Sequence, residues 1–323
     1  MALPAILQNL RLPAFGAPLF IIQNPELVIA QCTAGIPGCF PALNAREDAG
    51  EPPMLDAWLR RITEALDRHN QANPDRPAAP FAVNQIVHRS NARLERDMEI
   101  TVKWRVPIVV TSLGAREEVN AAVHSYGGIV LHDVINDRFA RKAIEKGADG
   151  LIAIATGAGG HAGRLSPFAL VEEIRAWFDG PLLLGGAIAT GAGILAAEAM
   201  GADLAYIGTA FIATREANAP EVYKRMIVEA TAEDIVYTSA FTGVHGNYLR
   251  PSIVAAGLDP EHLPEREPAS MNFSAGSSKP KAWKDVWGAG QGVTAVHEIL
   301  GAGELVARLA REYRAAKARL CGG

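Results

Sequence analysis

The sequence predicts an α/β chain: a closed (β/α)8 barrel of the TIM type with a smaller C-terminal lid or insertion subdomain. Three observations predict it. Eight short apolar runs recur at residues 18–22, 39–43, 81–84, 108–111, 129–133, 150–154, 182–184 and 204–207. They lack polar alternation, as parallel strands buried on both faces do. Amphipathic stretches separate them, which implies βαβ units with right-handed crossovers. Glycine-rich segments follow the sixth, seventh and eighth runs, at the strand ends where barrels build their sites.

Taken in order, the amino end reads Met-Ala-Leu-Pro-Ala-Ile-Leu-Gln-Asn-Leu-Arg, without a cationic segment leading into an apolar one, so no signal peptide is expected. The first run is expected to be strand one. Residues 35–53 are rich in Gly and Pro and are expected to loop around strand two. Over 55–69, Leu55, Leu59, Ile62 and Leu66 recur at spacings of three and four, one face of a helix. Stretches 138–146 and 167–178 read similarly, with Pro167 in a first helical turn, where its missing N–H costs nothing. After the eighth run, residues 242–290 carry many Pro, Gly and Ser residues, and 293–320 is helical and rich in Ala, Leu and Arg. The expected organisation is a barrel over 12–240, a covering insertion over 241–290, and a helical segment over 291–323 packed on the barrel.

Composition narrows the classes. The chain has 323 residues, 49% of them apolar and 20% charged, and a net charge of −4. An α/β barrel uses roughly 250 residues or more as one unit. No Lys/Arg run suggests a nucleic-acid partner, and no apolar run reaches the ~18 residues of a membrane span. Cys32, Cys39 and Cys321 fit neither a disulfide framework nor a CxxC metal site. A reducing, cytoplasmic setting is expected. The eight histidines show no HExxH or comparable spacing, so no metal is expected.

Two constellations carry chemistry. Run seven leads into Gly185-Gly186-Ala187-Ile188-Ala189-Thr190-Gly191, and run eight into Gly208-Thr209-Ala210-Phe211. Loops after strands seven and eight of such barrels commonly hold a phosphate, whose oxygens small residues let the backbone approach. A helix N-terminus and the Thr209 hydroxyl would add to that cradle. The other constellation, Thr156-Gly157-Ala158-Gly159-Gly160-His161-Ala162-Gly163, follows run six. It also fits a loose dinucleotide fingerprint, Gly157-x-Gly159-x-x-Ala162. Five runs precede run six, however, and the next strand ends in Leu184-Gly185-Gly186 without the acid that a Rossmann unit needs. The expectation is a flexible loop presenting His161 as a general base or an anion-orienting group.

These motifs together resemble the nitronate monooxygenase (2-nitropropane dioxygenase-like) family. The resemblance rests on Gly-Gly-His-Ala-Gly after strand six, Gly185-Gly186-Ala187, Ala199-Met200-Gly201-Ala202-Asp203 and the run 207–216. It also rests on Ala17-Pro18-Leu19, on Phe81-Ala82-Val83-Asn84, and on Trp287-Gly288-Ala289-Gly290-Gln291-Gly292. It covers roughly residues 12 to 300.

The resemblance implies an FMN-dependent oxidoreductase that converts nitronates or nitroalkanes with O2 to carbonyl compounds and nitrite. It implies that Ala17, Pro18 and Leu19 lie along the isoalloxazine ring and that Asn84 meets the flavin's polar edge. Gly186, Ala187, Gly208 and Thr209 would hold the phosphate, with Gly159, Gly160 and Gly185 beside the cofactor, and His161 would be catalytic. Leu19 stands where the family often has Met, and Asp133 where some members have Lys. That exchange removes a cation near the flavin, and His132 and Asp133 either face the cofactor or are buried scaffold. Tyr248, Trp283 and Trp287 are candidate substrate walls in the insertion. An NAD(P)H:quinone reductase or enoyl-thioester reductase of the same flavoprotein group is the alternative, so NAD(P)H stays open as a co-substrate, as does oligomerisation. A flavin-free lyase barrel would usually place a Schiff-base Lys at a strand end, but Lys103 and Lys146 precede strands four and six.

Overall fold

The computed structural model describes residues 3–46, 54–265 and 285–322. Its barrel strands begin with β1 (Ala14–Gly16), β2 (Gly38–Pro41), β3 (Phe81–Ile86), β4 (Ile108–Ser112), β5 (Ile129–Val134) and β6 (Gly150–Ile154). A two-residue strand, β7 (Gly160–His161), interrupts the series before β8 (Leu182–Gly185) and β9 (Leu204–Ile207). All neighbours in the barrel run parallel, and β1 closes the cylinder on β9, with Ala14 opposite Ala205 and Gly16 opposite Ile207.

Side chains alternate across the sheet as the pleat requires. Phe15, Cys39, Ala82, Val110, Leu131, Ile152, Leu183 and Tyr206 fill the interior, and Leu7 from the amino-terminal segment packs against them. The intervening residues, among them Val83, Val109, Val130 and Leu184, point outward under the helices. Double burial explains why the strands read as apolar without alternation.

The first strand lies earlier than expected. Residues 18–22 form a turn instead, with Ile22 N and Gln23 N donating to Leu19 O. Pro18 has no N–H for a central ladder, so pairing ends where Ala17 N donates to Ile207 O at 2.8 Å. Strand two likewise stops at Pro41 and passes into the 3-10 turn Ala42–Asn44.

The outer helices are α1 (Pro25–Thr33), α2 (Met54–Ala72), α3 (Leu94–Lys103), α4 (Glu117–His124), α5 (Asp137–Glu145), α6 (Pro167–Arg175) and α7 (Gly191–Met200). After β9 the chain makes only one helical turn, α8 (Thr209–Ile212), before α9 (Glu221–Glu229). A hairpin of β10 (Ile235–Thr238) and β11 (Gly246–Leu249) follows, then α10 (Arg250–Ala255). The boundary expected after residue 240 falls within this hairpin.

The final helix, α11 (Ala302–Cys321), follows a 3-10 turn, Gln291–Ala295, and is shorter than the helical stretch expected over 293–320. It packs against α7 and α1 and fills the gap in the helical ring left by the short α8. Among the described residues no helix is long and apolar enough to cross a membrane.

The α7–α11 contact is close. A Cβ on Gly191 would stand 2.0 Å from Tyr313 N and 2.5 Å from Leu309 O. Gly191 N donates to Glu312 Oε2 at 2.9 Å, and Tyr313 OH donates to Glu198 Oε2 at 2.5 Å. In an open helix, Gly→Ala stabilises by roughly 0.5–1 kcal/mol. Here the sign reverses: Gly191→Ala is expected to destabilise by about 1–3 kcal/mol, the usual range for overpacking. Urea denaturation measures it, and a midpoint at or above wild type would show that α11 does not dock there.

Candidate active site

All strand carboxyl ends meet at one rim, around a cavity of about 620 Å³. Its wall carries Ala17, Pro18, Leu19, Asn84, Asp133, Gly159, Gly160, His161, Gly185, Gly186, Ala187, Gly208 and Thr209. Strands separated by almost two hundred residues thus bring the motif residues around a single space.

The segment from Ala17 to Gln23 forms an apolar shelf on one side, and it is held from below by a residue the sequence did not single out. Buried Asn44 accepts from Ile21 N at 2.8 Å and donates through Nδ2 to Leu19 O and Gln23 O, both at 2.9 Å. One amide therefore satisfies three backbone groups of one turn. Ile21 sits at φ 60°, a region that a β-branched residue adopts only when its surroundings force it. Asn44 supplies part of that force.

Opposite the shelf lie the loops after β8 and β9. Gly186 adopts φ +149°, and a Cβ there would stand 2.8 Å from Thr156 O. The helix N-terminus expected to assist an anion is already engaged. Thr190 Oγ1 caps α7 by accepting from Gly193 N at 3.0 Å, and Glu312 takes Gly191 N. A carboxylate at that helix end replaces the anion that the dipole would attract. Thr209 remains suited to the role. Its Oγ1 accepts from Gly290 N at 2.9 Å, which leaves its own proton to donate.

The loop bearing His161 was expected to be flexible, but β11 holds it as a strand, with Gly246 opposite His161 and Asn247 opposite Gly160. Asn247 Nδ2 donates to Ala158 O at 2.6 Å, Gln291 N to Gly157 O at 2.9 Å, and Tyr237 OH to Ala162 O at 3.1 Å. The glycines permit this approach: a Cβ on Gly246 would lie 2.8 Å from Gly160 O, and one on Gly290 only 2.4 Å from Gly157 O. His161 Nε2 is 3.0 Å from Thr242 Oγ1. Burial pulls its pKa down to about 4, so the ring is neutral near pH 7.

Asp133 takes its place on the same wall. Burial pushes its carboxyl up to about 6, against a hydrogen bond from Ser112 that favours the ionised form. Its neighbour His132 bonds Thr111 Oγ1 through Nδ1 at 2.6 Å, and burial lowers its pKa to about 4. At the mouth, Ile135 and Phe139 form an apolar lip, 39% and 42% exposed, with Lys142 one helical turn beyond Phe139.

The three wall candidates in the insertion are placed differently from the rim residues. Tyr248 is fully buried in a separate cluster with Ile253 and Val286, edge-on to Phe241 at 4.8 Å. Trp287 stacks on Tyr223 at 4.8 Å, and it is Tyr223 that lines the cavity. Trp283 lies outside the described residues. From the insertion, Val244, Gly288 and Gly290 reach the wall. Sequence reasoning missed Asn44, Ser112, Thr242 and the lip. No local signal marked any of them.

The fold is an α/β barrel with a cavity at the strand carboxyl ends. A family model described as nitronate monooxygenase matches residues 59–312. A nitronate monooxygenase of Paraburkholderia phytofirmans is 32% identical, spanning 94% of this chain and 92% of its own. The nitroalkane oxidase of Streptomyces ansochromogenes superposes with a TM-score of 0.80 at 25% identity, covering 98% of this chain and 100% of that one. FabK of Thermotoga maritima shares the fold, with a TM-score of 0.75 at 22% identity over 98% and 97% of the two chains. The chain belongs to the nitronate monooxygenase family and is an oxidoreductase.

Removing the Asn44 amide strands three backbone groups in a partly buried turn. Each unsatisfied buried group costs about 1–3 kcal/mol, partly relieved by rearrangement of the turn. Asn44→Ala is expected to lower the unfolding free energy by about 2–3 kcal/mol in urea titrations. A loss below about 0.5 kcal/mol would mean that the turn holds itself.

Proposed function

We propose that this enzyme binds FMN and oxidises alkyl nitronates, including those formed from nitroalkanes, with O2 to carbonyl compounds and nitrite. One observation carries the reading. The His161 strand, the apolar shelf and two small-residue loops converge on a single cavity, in a chain of the nitronate monooxygenase family.

The residues present suit a flavin mononucleotide. Ala17, Pro18 and Leu19 offer an apolar plank for the ring face. Asn84 uses its Nδ2 hydrogens on Val110 O at 3.1 Å and Ser112 Oγ at 2.8 Å, so its carbonyl oxygen is left to accept from an N–H on the ring edge. Gly185, Gly186, Ala187, Gly208 and Thr209 would hold the phosphate through backbone groups and the free Thr209 proton, with Gly159 and Gly160 beside it. When bound, the flavin supplies the electron transfer between nitronate and O2.

The protein's part is to hold the substrate in a dry cavity. Thr242 Oγ1 donates to Val244 O at 2.9 Å, lies 3.0 Å from His161 Nε2, and also bonds Tyr248. His161 lines the cavity, and its neutral imidazole would turn an N–H toward a nitronate oxygen. A donor aimed at a developing anion typically contributes 10²–10³-fold.

Two outcomes test this reading. Thr209→Glu places a carboxylate where the phosphate would sit, so the purified variant is expected to keep less than about a tenth of the wild-type flavin, since unpaired like charges in a dry site are strongly disfavoured. Full FMN occupancy in a folded variant would remove the phosphate assignment. In an oxygen electrode, wild type should consume O2 with ethyl nitronate and release nitrite, and His161→Asn should lose about 10²-fold per bound flavin. Rapid anaerobic bleaching by NADH without nitronate-dependent O2 uptake would point to a reductase instead.

A further inference from the structure

The strand ends leave few free protons on the floor of the cavity. Ala82, Val110, Leu131 and Tyr206 point into the barrel interior. Two residues further along their strands, Asn84, Ser112 and Asp133 therefore face the same way. Asn84 spends its Nδ2 hydrogens on Val110 O and Ser112 Oγ. Ser112 spends its single proton on Asp133 Oδ2. Asp133, with its pKa raised by burial to about 6, is mostly ionised at pH 7 and has no proton to give. Ala17, Ile154 and Gly185, which also line the cavity, have no polar side-chain hydrogen.

Tyr206 breaks this pattern. It is only 8% exposed and lines the cavity, yet among the described residues its hydroxyl makes no hydrogen bond. A buried tyrosine hydroxyl usually finds a partner, because an unmade bond is costly away from water. The ring packs on Phe15, with centroids 5.7 Å apart. Beside it is Gly185, where a Cβ would stand 3.3 Å from Tyr206 Cδ1. Burial keeps the phenol protonated, helped by charge on Cys39 and Asp133. Those residues belong to β2 and β5, on either side of β9 around the cylinder. A hydroxyl that senses both lies toward the barrel axis.

We propose that the Tyr206 hydroxyl is a cofactor-binding donor, giving its hydrogen bond to a carbonyl oxygen or ring nitrogen on the pyrimidine half of the flavin. The inference rests on the FMN binding proposed above. The ring edge whose N–H meets Asn84 Oδ1 also carries acceptors, and the protons of Asn84 and Ser112 are committed elsewhere. On this floor Tyr206 has the proton that is left. A donor there bonds more strongly as the ring gains electrons, so the hydroxyl both holds the cofactor and favours its reduced form.

Tyr206→Phe removes the oxygen and keeps the ring against Phe15. Purified wild type and variant are compared in three ways: melting of the flavin-free form, FMN affinity by fluorescence titration, and the reduction potential of bound FMN against a reference dye. The flavin-free variant is expected to melt no lower than wild type, because it loses a hydroxyl that bonds no protein group. Its FMN dissociation constant should rise by about tenfold. The two-electron equilibrium of bound FMN should shift about tenfold toward the oxidised form, a fall of about 30 mV.

A weaker affinity with an unchanged potential would put the hydroxyl on the ribityl chain or phosphate and overturn the ring assignment. Unchanged affinity and potential would sink the proposal outright. A flavin-free variant that melts below wild type would show that the hydroxyl serves the fold instead. If wild type binds no FMN, the proposed function fails and this inference with it. Wild-type binding that Tyr206→Phe leaves untouched removes this inference alone.

Discussion

Closure of the parallel sheet is the constraint on which the rest depends. The ladder from Ala14–Gly16 to Leu204–Ile207 turns an open sheet into a cylinder, and a cylinder of parallel strands has a single carboxyl rim. Asn84, Ser112, Asp133, Gly185 and Gly208 are neighbours because they end or follow strands that end at one height. The interior below them is filled by Phe15, Val110, Leu131, Ile152 and Leu183, so the space stops at the rim and the barrel is no pore.

The rim is rigid for reasons outside the barrel ladder. Three non-glycine residues near the cavity, Ile21, Leu113 and Ala187, have φ of 60°, 62° and 54°. Such conformations cost of order 1–3 kcal/mol each and persist only when neighbours over-determine them. Asn44 does this for the shelf. The β10–β11 hairpin does the equivalent for the His161 loop, which has become the edge of a three-stranded sheet. The C-terminal segment therefore fixes the backbone that carries the imidazole.

Burial acts on the two titratable groups in opposite directions, since it always disfavours the charged form. It lowers the histidine and raises the aspartate. A dry wall thus holds a neutral donor and a carboxylate whose ionisation changes near neutrality, which is the separation an acid–base site uses.

The sequence by itself determined the barrel and most of the rim residues. Buried parallel strands must be short and apolar, and close backbone approach after a strand requires glycine; both are local demands that leave local marks. It misplaced the first strand, because the apolar content of residues 18–22 outweighed the signal that Pro18 cannot join a ladder. Only the tertiary structure decided that α7's N-terminus belongs to Thr190 and Glu312, that Tyr248 packs away from the cavity, and that Asn44 holds the shelf. It also decided the Asn84–Ser112–Asp133 chain and the pairing of His161 with Thr242. Apart from the Thr190 cap and the Tyr248 packing, these hydrogen bonds join residues 21 to 121 positions apart. No local pattern encodes them, because a hydrogen bond depends on which side chains closure brings within about 3 Å of each other.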